Sequence, residues 1–213
     1  SNDYLRLKQS SGIDIHKKIR DMVSTQSGKF TVKETLNASN FDNYIYPARY
    51  NDEREMTRYF SFEFIDETEI SADINWEIKS SSVKADGVIY GVLVHSEASI
   101  TTTIEAIKAS SSSCNRCIFI VPKHYQEIDK IVQEFNAVMT LRDRAVDDPI
   151  LFDEYEVIFE DLNDVIKMFM AAYTHPEEYR SFYIYNGLVQ NIHRKAALTD
   201  LLSRICDEVY SHT

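Results

Sequence analysis

The longest run of patterned sequence lies within residues 82–124. Residues 88–94 are almost continuously apolar, the signature of a strand buried on both faces of a helix-covered parallel sheet. Asp86-Gly87 supplies the turn before it. Ser96 reads as a helix N-cap, and Glu97 sits in the first turn, where the helix dipole favours a negative charge. Ile100, Ile104 and Ile107 then form one apolar stripe at helical spacing, with Lys108 in the last turn. This predicts a helix over 97–109, a serine-rich loop over 110–113, and a second buried strand over 117–121 stopped by Pro122. A helix between two parallel strands crosses over right-handed.

Upstream, Ile15, Ile19, Met22 and Val23 predict a short amphipathic helix over 13–23, followed by a polar loop over 24–29. Residues 30–36 fit either a strand or a short helix. The alternation over 59–65 predicts a strand, and 74–78 a second short one, the two forming an antiparallel hairpin or edge. Ile128, Ile131, Val132, Phe135, Val138 and Met139 keep a 3.6 period, so 123–144 reads as a helix, with a strand over 137–141 as the alternative. Asp148-Pro149 is a helix start. From it Leu151, Tyr155, Ile158, Leu162, Val165 and Phe169 step by four and three, a heptad pattern with an acidic outer face. That helix ends near Tyr173 and either packs on its own lobe or serves as a coiled-coil arm. A short strand over 182–185 stops at Asn186-Gly187, and 194–210 is the last helix.

The expected fold class is therefore α/β: a small mixed sheet with a βαβ core flanked by helices, plus a helical C-terminal lobe. Residues 1–2 read as a protease-cleavage scar. Residues 3–58 hold the N-terminal helix and an arginine- and tyrosine-rich segment, 59–145 the α/β core, and 146–213 the helical lobe. The apolar stripe Leu198, Leu201, Leu202, Ile205, Cys206 and Val209 runs almost to Thr213 without a Gly or Pro stop, so both ends look cut.

Composition narrows the function classes. The chain has 213 residues, 44% hydrophobic and 27% charged, with a net charge of −11 and a pI near 5.0. A diffuse acidic surface repels phosphate backbones, which argues against nonspecific nucleic-acid binding. No apolar run reaches the roughly 18 residues of a membrane span. Three cysteines without framework spacing fit a reducing cytoplasm. Five glycines and four prolines argue for long regular elements.

No stretch carries a chemical function by itself. In open α/β sheets, sites lie beyond the carboxyl ends of the strands, here His95-Ser96-Glu97 and Pro122-Lys123-His124. Neither has the glycines that let backbone amides approach a phosphate. Gly28-Lys29 fails as a phosphate loop: Val23 stands where its first glycine belongs, and Phe30 where Ser or Thr should follow. The segment 41–60 interleaves Arg49, Arg54 and Arg58 with Tyr44, Tyr46, Tyr50 and Tyr59. Arg49, Tyr50, Arg54 and Arg58 are candidate partner contacts. Asp52, Glu53 and Glu55 could instead neutralise the arginines locally. Glu77 and Lys79, two apart on an expected strand, share a face as in metal-dependent restriction-type nucleases. Asp66 would be the second carboxylate on magnesium. A receiver-like or nucleotide-binding signalling domain would want an acidic cluster at strand ends, for which Asp86 is the candidate. Cys114 and Cys117 form a lone CxxC. Zinc would need two further ligands, with Cys206 and His124 the available ones, and redox CxxC pairs open a helix whereas this one opens a strand.

Two segments, residues 46–60 (YPARYNDEREMTRYF) and 201–210 (LLSRICDEVY), resemble parts of large bacterial P-loop ATPases of phage-defence islands, of the BREX kind. The Asp86-Gly87-Val88-Ile89 strand and Ile118 to Pro122 also fit their internal α/β region. In those proteins the Ile-Cys-Asp-Glu-Val-Tyr segment is typically followed by a proline-containing stretch, which this chain lacks. The resemblance spans about half the chain, and neither a Walker A nor a Walker B segment is present. It implies a non-catalytic accessory or coupling domain of a cytoplasmic ATP-binding protein. Such a domain would contact other domains of the parent chain or protein partners, with no cofactor of its own.

Overall fold

The computed structural model describes residues 2–39 and 43–211, with side chains from residue 14 onward. Ser1, Phe41, Asp42 and the terminal His212-Thr213, which bear on the scar, the arginine-tyrosine segment and the cut end, lie outside the described residues. The helices are α1 (Asn2–Thr25), α2 (Val32–Ala38), α3 (Ala48–Arg54), α4 (Trp76–Ser80), α5 (Ser99–Ser111), α6 (Asp129–Arg144), α7 (Pro149–Thr174) and α8 (Lys195–Val209). The strands are β1 (Tyr44–Ile45), β2 (Phe60–Asp66), β3 (Gly87–Leu93), β4 (Cys117–Pro122), β5 (Ser181–Tyr185) and β6 (Leu188–Gln190). The chain is α/β with a helical C-terminal region, as its pattern predicts. Two compact units interleave along it: one runs to Thr35 and resumes over Glu127–Phe169, the other takes Leu36–Gln126 and the chain from Met170.

The second unit holds the sheet, in the order β1-β2-β3-β4-β5-β6. β2, β3 and β4 are parallel neighbours, and the outer pairings are antiparallel. On one face, Val88, Tyr90 and Val92 of β3 pack with Phe119 of β4, Ile100 and Ile107 of α5, and Trp76. The Trp76 ring meets the Phe119 ring edge-on at 4.5 Å, and its Nε1 donates to Ser110 Oγ at 2.9 Å. On the other face, register sets Phe60 beside Gly87 and Phe64 beside Gly91. A Cβ on Gly91 would come within 2.9 Å of Phe64 Cδ1, so the missing side chains make room for the rings.

In the first unit Ile15 and Ile19 of α1 are buried, as are Val132, Phe135 and Val138 of α6 and Tyr155, Leu162 and Ile166 of α7. Phe135 and Phe159 stack at 4.9 Å, Gln26 Nε2 donates to Thr140 Oγ1 at 2.8 Å, and Asn136 Nδ2 to Thr35 Oγ1 at 2.9 Å. The α7 start falls where predicted, with the Leu151 amide donating to Asp148 Oδ1.

Several expectations need correction. Residues 74–78 form no strand: Asn75 Oδ1 accepts from the Ile78 amide and starts α4. β2 therefore makes no hairpin with that stretch and pairs parallel to β3. Regular helix begins at Ser99 rather than 97, because Ser96 and Ser99 cap each other reciprocally, each hydroxyl accepting from the other's amide at 3.1–3.2 Å. α6 begins at Asp129, since the Lys123 amide donates to Arg180 O and continues the β4–β5 ladder. The ambiguous 30–36 stretch is helical from Val32, and 137–141 belongs to helix α6. The C-terminal region adds the pair β5–β6, turned at Asn186 (φ 51°) and Gly187 (φ 76°), the left-handed conformations a two-residue hairpin turn demands.

Candidate functional site

Three parallel strands end side by side, and their exits bring together the polar groups most like a site. β2 ends in Asp66, β3 runs out to His95, and β4 to Lys123 and His124. His95 Nε2 lies 2.7 Å from Asp66 Oδ1, and its Nδ1 3.5 Å from Glu67 Oε1. Asp66 also accepts from the Thr68 amide at 3.0 Å and the Thr68 hydroxyl at 2.6 Å, while its own amide donates to Glu69. Partial burial pushes the Asp66 carboxyl up, but the Thr68 and His95 hydrogen bonds outweigh it and hold the group below the ordinary aspartate range. One connection away, Glu97 accepts from the Tyr125 amide at 2.7 Å and faces His124 Nδ1 at 3.0 Å. The Tyr125 amide first, and His124 second, hold the Glu97 carboxyl low.

This exit is rich in carboxylates: Asp66, Glu67 and Glu97 all lie along it. The amides of Thr68, Ser96, Ser99 and Tyr125 each already donate to a side chain of this chain. Asp66–His95 can hold or pass a proton at the imidazole, whose side chain is half exposed.

The residues of the nuclease pattern do not share a strand face. Glu77 and Lys79 lie on α4, where positions two apart point away from each other. Lys79 Nζ pairs with Glu69 Oε1 at 3.1 Å, and Glu77 Oε1 accepts from Cys114 Sγ at 3.6 Å. Asp86, the receiver candidate, sits at the amino end of β3, opposite the end where strand-exit chemistry lies. It is taken up by Arg58, the Tyr59 amide and the Tyr210 hydroxyl. Among the described residues, no three His, Cys, Asp or Glu side chains converge to hold a metal.

The arginine-tyrosine segment folds against α8. Arg49 bonds Asp207 at 2.7 Å and Glu53 at 3.1 Å, and the hydrogen bond to Asp207 leads the causes that raise its pKa. The Tyr50 amide donates to Ser203 Oγ, and Arg58 pairs with Asp86 at 2.8 Å beneath Tyr210. Arg54 is exposed, 5.5 Å from the Tyr50 ring centroid. The Tyr210 role escapes sequence reading because 124 residues separate it from Asp86. The Asp66–His95 pair escapes it too, although Asp66 closes β2 and His95 lies two residues beyond the end of β3, which is the one signal available.

The described cavities are shallow: one of about 400 Å³ in the first unit beside Lys18, Arg144 and Tyr155, and one of about 230 Å³ in the second between the β5–β6 hairpin and α8. No helix among the described residues is long and apolar enough to cross a membrane. No family model, no curated protein and no solved structure matches the chain.

Proposed function

We propose that the chain is a non-catalytic accessory or coupling domain of a larger cytoplasmic bacterial ATP-binding protein, contacting other domains or protein partners. The observation that carries this reading is the occupied strand exit. Where an α/β domain would offer free amides to a phosphate, the Thr68, Ser96, Ser99 and Tyr125 amides are spent on the chain's own side chains, and carboxylates crowd the same edge. The arginine-tyrosine segment supports it as well. Arg49 and Arg58 fasten that segment to α8 and to the β3 entrance, which leaves Arg54 at the surface for a partner.

Two measurements test it. The natural reading frame is expected to continue on both sides, with a phosphate-loop segment elsewhere in it. ATP titrated into this chain by calorimetry is expected to give no saturable binding, while the full protein binds. A native frame confined to these residues, or saturable ATP binding by the chain alone, overturns the proposal.

A further inference from the structure

α7 is apolar on two sides. Tyr155, Leu162, Ile166 and Phe169 recur at helical spacing and are buried. Val157 stands two residues from Tyr155, roughly 200° around the helix, and so projects the other way. It is 61% exposed, and Ile150, seven residues before it, is 76% exposed. Val165, about two turns further on, is exposed as well. Single exposed apolar residues are ordinary, but these share one helix face about 22 Å long.

Acids accompany them at a fixed offset. Glu154 lies four residues after Ile150 and Asp161 four after Val157, so an apolar residue and an acid repeat together every seven positions. Asp161 is exposed and Glu154 partly so, and the exposed Asp153, Glu160 and Asp164 border the same face. α7 carries a single cation, Lys167. Arg142 takes up Glu156 to one side, at 3.0 Å. Among the described residues, no Lys, Arg or His pairs with Glu154, Asp161 or Asp164.

We propose that this outer face of α7 binds a basic amphipathic helix of a protein partner, one that alternates apolar residues with Lys or Arg along its contact face. The partner's apolar residues pack on Ile150, Val157 and Val165, and its cations pair with Glu154 and Asp161 in the same seam. A second copy of the chain is the poorer occupant. Aligned in parallel, two copies set Glu154 against Glu154 and Asp161 against Asp161. Aligned antiparallel, an acid of each copy meets Ile150 or Val157 of the other and loses water without gaining a cation. The same acids repel phosphate backbones and anionic membrane surfaces. The surface lies on a different helix from Arg54 and requires no ATP-binding parent.

The test uses the full chain and a fluorescein-labelled three-heptad peptide with Leu and, four residues later, Lys in each heptad, at about 0.15 M salt. Anisotropy is expected to saturate. A peptide of the same composition, with Leu and Lys scattered around the helix, is expected to bind at least about tenfold more weakly. Ile150→Gln/Val157→Gln is expected to weaken binding about tenfold or more, with the unfolding midpoint unmoved because both side chains are exposed. Glu154→Lys/Asp161→Lys is expected to lose the Lys peptide to the same extent and to bind instead the version with Glu in place of Lys, a swap that a misfolded variant cannot produce. Four results overturn the proposal: no saturable binding of the patterned peptide, equal binding of the scattered one, unchanged affinity in Ile150→Gln/Val157→Gln, or a dimer of the chain in sedimentation equilibrium that this double variant abolishes, which assigns the face to a second copy.

Discussion

The guanidinium carbon of Arg58 lies 3.3 Å from the centroid of the Tyr210 ring, and the Tyr210 hydroxyl and Arg58 Nη1 both donate to Asp86 Oδ1 at 2.8 Å. Three segments distant in sequence meet in this contact: the end of the arginine-tyrosine segment, the entrance to β3 and the exit of α8. The arginine face is stacked while its edge is ion-paired, a geometry that a point charge on a flexible stem cannot reproduce.

Removing Arg58 leaves Asp86 short of its counter-ion in a mostly buried setting. Arg58→Ala is expected to lower unfolding stability by about 2–4 kcal/mol in urea titration. Arg58→Lys is expected to recover less than half of that, since the stacking is lost. A lysine variant as stable as the wild type would show that charge alone suffices.

The glycines of β3 make a graded prediction. A Cβ on Gly87 would collide with the Phe60 ring and with the Arg116 carbonyl, which is backbone and cannot swing away. One on Gly91 would meet only the Phe64 and Phe62 rings, at 2.9–3.0 Å. Gly87→Ala is expected to cost about 3 kcal/mol and Gly91→Ala about 1–2 kcal/mol, compared by thermal and urea unfolding. The reverse order would mean that the rings are the harder obstacle.

Acid is expected to loosen the strand exit. The Asp66 carboxyl titrates below its unfolded value, so its contribution is present above the ordinary aspartate range near pH 4 and is lost as pH falls through the lower folded value. With the side chain partly solvent-screened, the effect is below about 1 kcal/mol. Stability curves of wild type and Asp66→Asn are expected to converge as pH falls from 5 towards about 2. Curves that stay parallel would remove Asp66 from the linkage.

Magnesium discriminates the nuclease arrangement. Glu77 and Lys79 diverge on α4 and are engaged by Cys114 and Glu69. Calorimetry is expected to show no saturable magnesium binding, and the trace should be unchanged in Glu77→Ala. Binding that disappears in that variant would restore Asp66, Glu77 and Lys79 as a metal site.

Local signals determined much of this architecture. The buried strands at 88–94 and 117–121, the α7 start at Asp148-Pro149 and the strand before Asn186-Gly187 all rest on periodicity, burial or turn chemistry within a few residues. α4 defeated the same reading because Ile74, Trp76 and Ile78 alternate as a strand would. In the folded chain Ile78 is 71% exposed, and Trp76 is buried against Tyr90 and Phe119. β1 and β6, with two and three residues, are too short to show any period. Only tertiary structure could set Asp66 against His95, Arg58 between Asp86 and Tyr210, and Glu77 against Cys114. Each pair depends on which strands become neighbours and in what register, and that choice is made by packing over long sequence separations that no local pattern encodes.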